Sequence, residues 1–242
     1  MKKLFKYFGY ATLGGLVVSS LYMVNLFIMR PYSIDHFLAK ELVMDMVDSP
    51  EMMTYLGIFD NYNVILKHNQ KLSVSSLEDA DQDHADRIKR LKILNKYDSK
   101  KLSEIQKITK KIAIFDVEND IHEFKNFRFH SHPFNQISGG HLNIVEFMTD
   151  THPVRNYREA SDYIKRVEKF NEIFTADLLW LEEQKKQGIF APQFVFDHVI
   201  RQLNELLAYE DKDNPLMQVF SRKVDALELD LEKVTELKSN LS

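Results

Sequence analysis

Four of the nine histidines in this 242-residue chain crowd into residues 130–153, "HSHPFNQISGGHLNIVEFMTDTHP": His130, His132, His141 and His152. Imidazoles at that density raise two chemistries, metal ligation and proton transfer. His130 and His132 would share one face of an extended segment, and His141 would follow them after a turn at Gly139-Gly140. Catalytic zinc normally takes three protein ligands, each imidazole supported from behind by a carboxylate or carbonyl. No Asp or Glu stands between Phe127 and Leu142 to give that support. The stretch is therefore read as a shaped loop, with no metal ligand assigned.

Other reactive patterns fail more simply. A zinc-peptidase helix sets two histidines one turn apart with a glutamate base beside the first. The only His-Glu pair is His122-Glu123, and Asn126 stands where the second histidine belongs. Asp116 and Asp120, also one turn apart, read as a solvated helix face. No P-loop, dinucleotide-binding glycine fingerprint or G-x-S-x-G elbow is present. With no cysteine at all, disulfides, thiolate zinc sites and cysteine nucleophiles are excluded. Catalytic and cofactor-binding residues are accordingly assigned to none, and no cofactor is expected. A net charge of −4 offers no general attraction to phosphate, which excludes nucleic acid as a partner.

The elements that would hold these residues are helices. Seven Gly and six Pro in the whole chain leave little material for β-turns, so the fold class is all-α. The N-terminus begins with Lys2, Lys3 and Lys6, then runs uncharged from Phe8 to Met29 before Arg30. That length suits a helix crossing a hydrocarbon core of roughly 30 Å, with Tyr7, Tyr10 and Tyr32 near the interfaces. Residues 1–30 are thus expected to be a signal anchor whose residues 8–29 span the inner membrane once. The lysine excess would leave the bulk of the chain periplasmic or extracellular. The alternative is secretion after cleavage near Leu21. Ala11, Gly15 and Ser19 repeat at the four-residue spacing of a membrane helix-packing face.

Residues 31–242 read as one multi-helix domain with a long ordered loop. Ser33 can cap a helix ending before Ser49, and Pro50 suits the first turn of a short helix stopped at Gly57. Residues 57–75 lack helical periodicity and read as loop. Ser76 opens a helix through Leu94, and Asp98 or Ser99 opens another. Its apolar stripe is Leu102, Ile105, Ile108, Ile112 and Phe115. After the loop at 126–153, Asn156 and Glu159 have capping-box spacing and start a helix that continues to Gly188. Pro192 and Asn214-Pro215 start the last two. The final stripe, Leu216, Phe220, Val224, Leu227, Leu231, Val234 and Leu237, reaches nearly to Ser242 without a Gly or Pro to close it. Such a face predicts a partner, either self-association or a missing half, docked on the 215–238 helix.

From about Ser49 to Phe220 the chain resembles the bacterial family called domain of unknown function 885. The resemblance rests on "SPEMMTYLGIFDNYN" (49–63), "HPFNQISGGHLNIVEFMTDTHPVRNYREASDYIKRV" (132–167), "GIFAPQFVFDHVIRQL" (188–203) and "DNPLMQVF" (213–220). It implies a helical, zinc-metallopeptidase-like protein whose zinc motif lies in a second half that has no counterpart positions here. It also implies that Pro133 to Gly139 lead into a helix and that His152 to Asn156 cap the next. On this reading the chain is a membrane-anchored, non-catalytic half, inactive alone. Asn135, Gln136, Gly139, Gly140, His141, His152 and Asn156 form its scaffold or line its cleft. The alternatives are a helical peptide- or protein-binding module, or a hydrolase completed by a separately encoded zinc half.

Overall fold

The helix starts are written in the side chains. Ser49 sits in extended backbone and its hydroxyl accepts from Met52 N–H at 3.4 Å, Pro50 fills the first helical position, and Gly57 closes that helix at φ 65°. Asn214 accepts from Leu216 N–H at 2.9 Å with Pro215 following it. These devices satisfy first-turn donors that no intrahelical carbonyl can reach. The resulting all-α architecture, a computed structural model describing residues 2–27 and 30–241, has twelve α-helices among those residues. They are α1 (Lys2–Phe27), α2 (Ile34–Val47), α3 (Pro50–Leu56), α4 (Asn63–Leu66), α5 (Leu77–Asn95) and α6 (Glu104–Phe127). Then come α7 (Gly140–Glu146), α8 (Tyr157–Val167), α9 (Phe170–Lys186), α10 (Gln193–Leu207), α11 (Pro215–Asp225) and α12 (Leu231–Leu241).

The first correction concerns α1. Among the described residues no helix is long and apolar enough to cross a membrane. The expected span, the membrane as a partner and the single-pass inner-membrane placement fall with it; residues 28 and 29 of that span lie outside the described residues. The apolar run is diluted by Gly14, Gly15, Ser19, Ser20 and Asn25. Asn25 is buried: its Nδ2 donates to Arg30 O at 3.0 Å and its Oδ1 accepts from Tyr32 N–H at 3.0 Å.

Two compact units share the chain. One holds residues 1–45 and 84–122, the other 46–83 and 123–242. The first is built on Ile34, Phe37, Leu94, Tyr97 and Val117. Here α6 turns opposite to expectation. Ile105, Ile108, Ile112 and Phe115 are exposed, while Ala113, Ile114, Val117 and Ile121 pack inward and the buried Lys110 donates to Tyr97 O at 2.6 Å. Both faces of α6 carry apolar residues at helical spacing, so periodicity alone cannot choose between them. Its cap is Ser103, paired reciprocally with Gln106, two residues after a 3₁₀ turn that Asp98 starts.

The second unit centres on Met148, Tyr163, Ile164, Phe220, Val224 and Leu237. The last stripe is not one helix: α11 ends at Asp225 and α12 begins at Leu231. That break folds the stripe back, so Leu216, Leu227 and Val234 pack against the chain's own core and Leu237 is 1% exposed. Only Leu231, at 81%, faces outward among the leucines expected to seek a partner. The predicted self-association or missing half on 215–238 is corrected accordingly. The helix after Asn156 is likewise broken, at Glu168-Lys169, into α8 and α9. The loop expected at 126–153 is partly helical, holding α7 and a π-helical turn at Phe147–Thr151.

Candidate functional site

The densest polar chemistry in the second unit lies on the inner face of α8. Glu159, Asp162 and Arg166, one turn apart, are all buried beside Ala160 and Tyr163. Burying an arginine is costly unless its donors are satisfied. Arg166 satisfies them: Nε donates to Lys71 O at 2.8 Å, Nη1 to His152 Nδ1 at 2.8 Å, and Nη2 to Thr54 Oγ1 at 2.7 Å and His68 O at 2.9 Å. Its guanidinium carbon stands 4.8 Å from the centre of the Phe147 ring, at the start of the π-helical turn. Burial pulls its pKa down to about 10, so it stays charged at neutral pH. Asp162 accepts from Asn63 Nδ2 at 2.9 Å and Gln70 Nε2 at 2.7 Å. One helix face thereby ties down Thr54, Asn63, His68, Gln70 and Lys71.

Around this hub, His152 is locked as a neutral ring. Its Nδ1 accepts from Arg166, so Nε2 carries the proton and donates to Glu159 O at 3.3 Å. Burial first, then the Arg166 charge, lowers its pKa to about 3. Lys223 donates to Thr149 O at 2.8 Å and His152 O at 2.9 Å, holding the end of the π-helical turn. Asn156 caps α8, accepting from Glu159 N–H at 3.1 Å. The capping box is shifted by one residue, because the Glu159 carboxylate takes Arg155 N–H at 2.7 Å rather than that of Asn156. Arg155 Nη2 also donates to Asp60 Oδ2 at 2.6 Å. His68 is buried with neither ring nitrogen hydrogen-bonded, its Nε2 lying 3.9 Å from Asp60 Oδ1. Burial and Arg166 lower its pKa too.

The second group of residues lies where residues 129–141 meet α9 and α10. Asn135 Oδ1 accepts from Ile137 N–H at 3.0 Å and Ser138 N–H at 2.7 Å, forming an Asx turn. Gly139 N–H returns to Asn135 O and Gly140 N–H to Pro133 O. Gly139 needs no unusual φ, at −64°, but a Cβ there would stand 2.5 Å from Asn135 O and 2.7 Å from His141 Cε1. Gln202 of α10 donates to Gln136 O at 3.1 Å, which turns its Oε1 toward His141 Nε2, also at 3.1 Å. Gln184 of α9 donates to Phe129 O at 2.6 Å and Ser131 O at 3.0 Å, and its amide lies against His132 Nδ1, 3.1 Å from Gln184 Nε2.

Of the residues singled out by sequence, Asn135, Gln136, Gly139, Gly140 and His141 therefore form one turn. His152 and Asn156 belong to the α8 hub instead. The four histidines do not converge: among the described residues no group of three or more His, Cys, Asp or Glu side chains could hold a metal ion. His152 has both nitrogens engaged, and His141 has one. The donor set does not fit zinc. Sequence reading passed over Arg166, Asp162, Gln184 and Gln202. A signal for the first two existed, since Glu159, Asp162 and Arg166 interrupt the apolar face of α8 at spacings of three and four.

Comparison with known proteins adds the family. Residues 50–242 match the family described as "Bacterial protein of unknown function (DUF885)". No curated protein matches. Among solved structures, that of "the putative lipoprotein from Colwellia psychrerythraea" is similar at TM-score 0.66 and 15% identity, over 84% of this chain and 37% of the other. At that identity the likeness is one of fold. The chain thus spans little more than a third of the length of its solved relative. The chain belongs to the DUF885 family of bacterial proteins.

Proposed function

We propose that residues 50–242 are the N-terminal half of a zinc-metallopeptidase-like fold, and that this chain supplies the wall of a peptide cleft rather than its metal. The observation that carries the reading is the coverage of the solved relative, 84% of this chain against 37% of that one. In this arrangement the turn formed by Asn135, Gln136, Gly139, Gly140 and His141 lines the cleft. His152 and Asn156 act behind it, with Arg166, as the scaffold that keeps the wall rigid. The division of labour accords with the chemistry of the hub. Every nitrogen of its guanidinium and imidazole is engaged in a hydrogen bond, which suits holding shape more than moving protons.

A graft tests this. Residues 50–242 would replace the corresponding segment of a longer DUF885 protein, with zinc content and hydrolysis of a mixed peptide pool measured for parent and graft. The expected result is a zinc-loaded graft that cleaves peptides with an altered preference. A parent without zinc or peptide cleavage would contradict the reading, as would a folded, zinc-loaded graft without cleavage.

A further inference from the structure

Two buried polar atoms of the second unit face each other, and neither has a hydrogen-bond partner. His68 is 1% exposed with both ring nitrogens unbonded. Its Nε2 lies 3.9 Å from Asp60 Oδ1, an oxygen that is likewise buried and unbonded. That gap is roughly 1 Å too long for a hydrogen bond. The other oxygen of the same carboxylate, Oδ2, accepts from Arg155 Nη2 at 2.6 Å. Asp60 is thus tied at one corner and open at the other. Buried groups left in that condition in a native fold call for an explanation.

The two residues differ in how firmly the chain holds them. His68 opens a 3₁₀ turn (His68–Gln70), its carbonyl takes Arg166 Nη2, and Gln70 bonds Asp162. Asp60 opens an earlier 3₁₀ turn (Asp60–Tyr62) just after Gly57, and its side chain is held only by Arg155, a largely exposed guanidinium. Ile58 and Tyr62, on that less anchored stretch, are exposed. A neutral imidazole has one N–H, and with either tautomer Asp60 Oδ1 is out of reach. A second proton makes both nitrogens donors, so Nε2 must then present N–H to Asp60. The surrounding charges pull in both directions. Asp60 and Asp162 of α8 favour the charged ring, while burial and Arg166 oppose it and prevail, so His68 takes its proton below the ordinary pH of 6.5. Glu51, the carboxylate of α3, is engaged by the Ser73 N–H and hydroxyl.

We propose that Asp60 and His68 form an acid-closed latch: the protonated imidazole donates from Nε2 to Asp60 Oδ1 and pins the Gly57–Tyr62 turn to the Arg166 hub. Near neutral pH the latch is open, and the turn with its exposed Ile58 and Tyr62 is held through Arg155. Closure offsets part of the cost of charging His68 without reversing it. Acid therefore tightens this turn while it lowers the stability of the whole fold. The latch does not depend on whether the chain lines a peptide cleft.

The test is an NMR titration of the ¹⁵N-labelled chain from pH 7 to pH 4, with the His68 ring assigned by its loss in His68→Gln. Hydrogen exchange is followed at the Asp60 and Tyr62 amides, which bond Gly57 O and Phe59 O. As His68 takes its proton, exchange at both amides, corrected for its intrinsic pH dependence, should slow about threefold or more. Asp60→Asn, nearly isosteric, should weaken proton binding at His68 about threefold or more through the lost opposite charge. It should also abolish the slowing, as should His68→Gln, which serves alone if Asp60→Asn does not fold. Proton affinity unchanged or raised in a folded Asp60→Asn protein would overturn the proposal. So would exchange that fails to slow, slowing that persists in His68→Gln, or a chain that melts before His68 is protonated.

Discussion

Arg166 Nη1 stands 2.8 Å from His152 Nδ1, and that contact decides what both residues can do. The guanidinium cannot lose its proton at neutral pH, so it must be the donor and the imidazole the acceptor. His152 is then held neutral, with its remaining proton on Nε2 given to Glu159 O. Neither ring nitrogen is left for a metal or a substrate. The pair joins the π-helical turn to α8, and Arg166 continues to Thr54, His68 and Lys71.

Removing Arg166 should therefore undo more than one bond. Arg166→Met keeps the bulk of the stem but strands the acceptors of Thr54, His68, Lys71 and His152 in a buried site. The expected loss is roughly 3–5 kcal/mol, the range for breaking one side of a buried charged network. Urea unfolding measures it; a loss under about 1 kcal/mol would mean that the segment 54–71 is held by other contacts.

Stability should fall toward acid. A buried neutral histidine binds its proton in the unfolded chain near pH 6.5 but in the native state only near pH 3. Between those values the unfolded state holds more protons, so unfolding becomes easier as pH drops, by up to about 1.4 kcal/mol per pH unit for one group. His68, also lowered, adds a slope of the same sign. Above pH 6.5 both contributions vanish. Comparing urea midpoints from pH 7 to pH 4 in wild type and His152→Gln should show a shallower slope in the variant. Parallel slopes would contradict the assignment.

The two adjacent glycines should answer differently to the same change. Gly139→Ala drives a Cβ to 2.5 Å from Asn135 O and 2.7 Å from Asn135 N, both backbone atoms that cannot step aside. Overpacking of that kind costs roughly 1–3 kcal/mol. At Gly140 the nearest atom is the Asp177 carboxylate at 3.4 Å, a side chain able to give way. Thermal melting should drop clearly for Gly139→Ala and little for Gly140→Ala; the reverse order would place the constraint elsewhere.

Helix caps and the last stripe give a third comparison. Asn156→Ala removes the acceptor for Glu159 N–H and should cost about 1 kcal/mol, against almost nothing for the exposed His130→Ala. Leu237→Ala should cost roughly 2–5 kcal/mol from a fully packed position, whereas Leu231→Asp should leave the melting temperature nearly unchanged. A large effect at Leu231 would revive the partner surface that α11 and α12 otherwise close.

Local signals were the legible part of this molecule. Ser49 with Pro50 and Gly57, Asn156, and Asn214 with Pro215 each mark a helix end, because the capping chemistry is complete within a few residues. Signals that depend on distant partners were not. On α6 the Ile105–Phe115 stripe and the Ala113–Ile121 stripe are both apolar, and only the rest of the fold selects the second. The stripe ending at Leu237 looked unclosed because the turn between α11 and α12 contains neither Gly nor Pro. As for the candidate site, the Asn135–Gly140 turn was visible in its residue types. The Arg166 hub was not, since its acceptors are mostly backbone carbonyls 95 or more residues away in sequence, which no spacing encodes.

Zinc content of the purified chain tests the central claim most directly: that these residues build the wall of a cleft and do not hold its metal. After equilibration with zinc and removal of the free ion, metal analysis should find far less than one equivalent per chain. His132→Ala/His141→Ala should leave that value unchanged. One equivalent of zinc, lost in the double variant, would contradict the account and make the histidine-rich turn a metal centre.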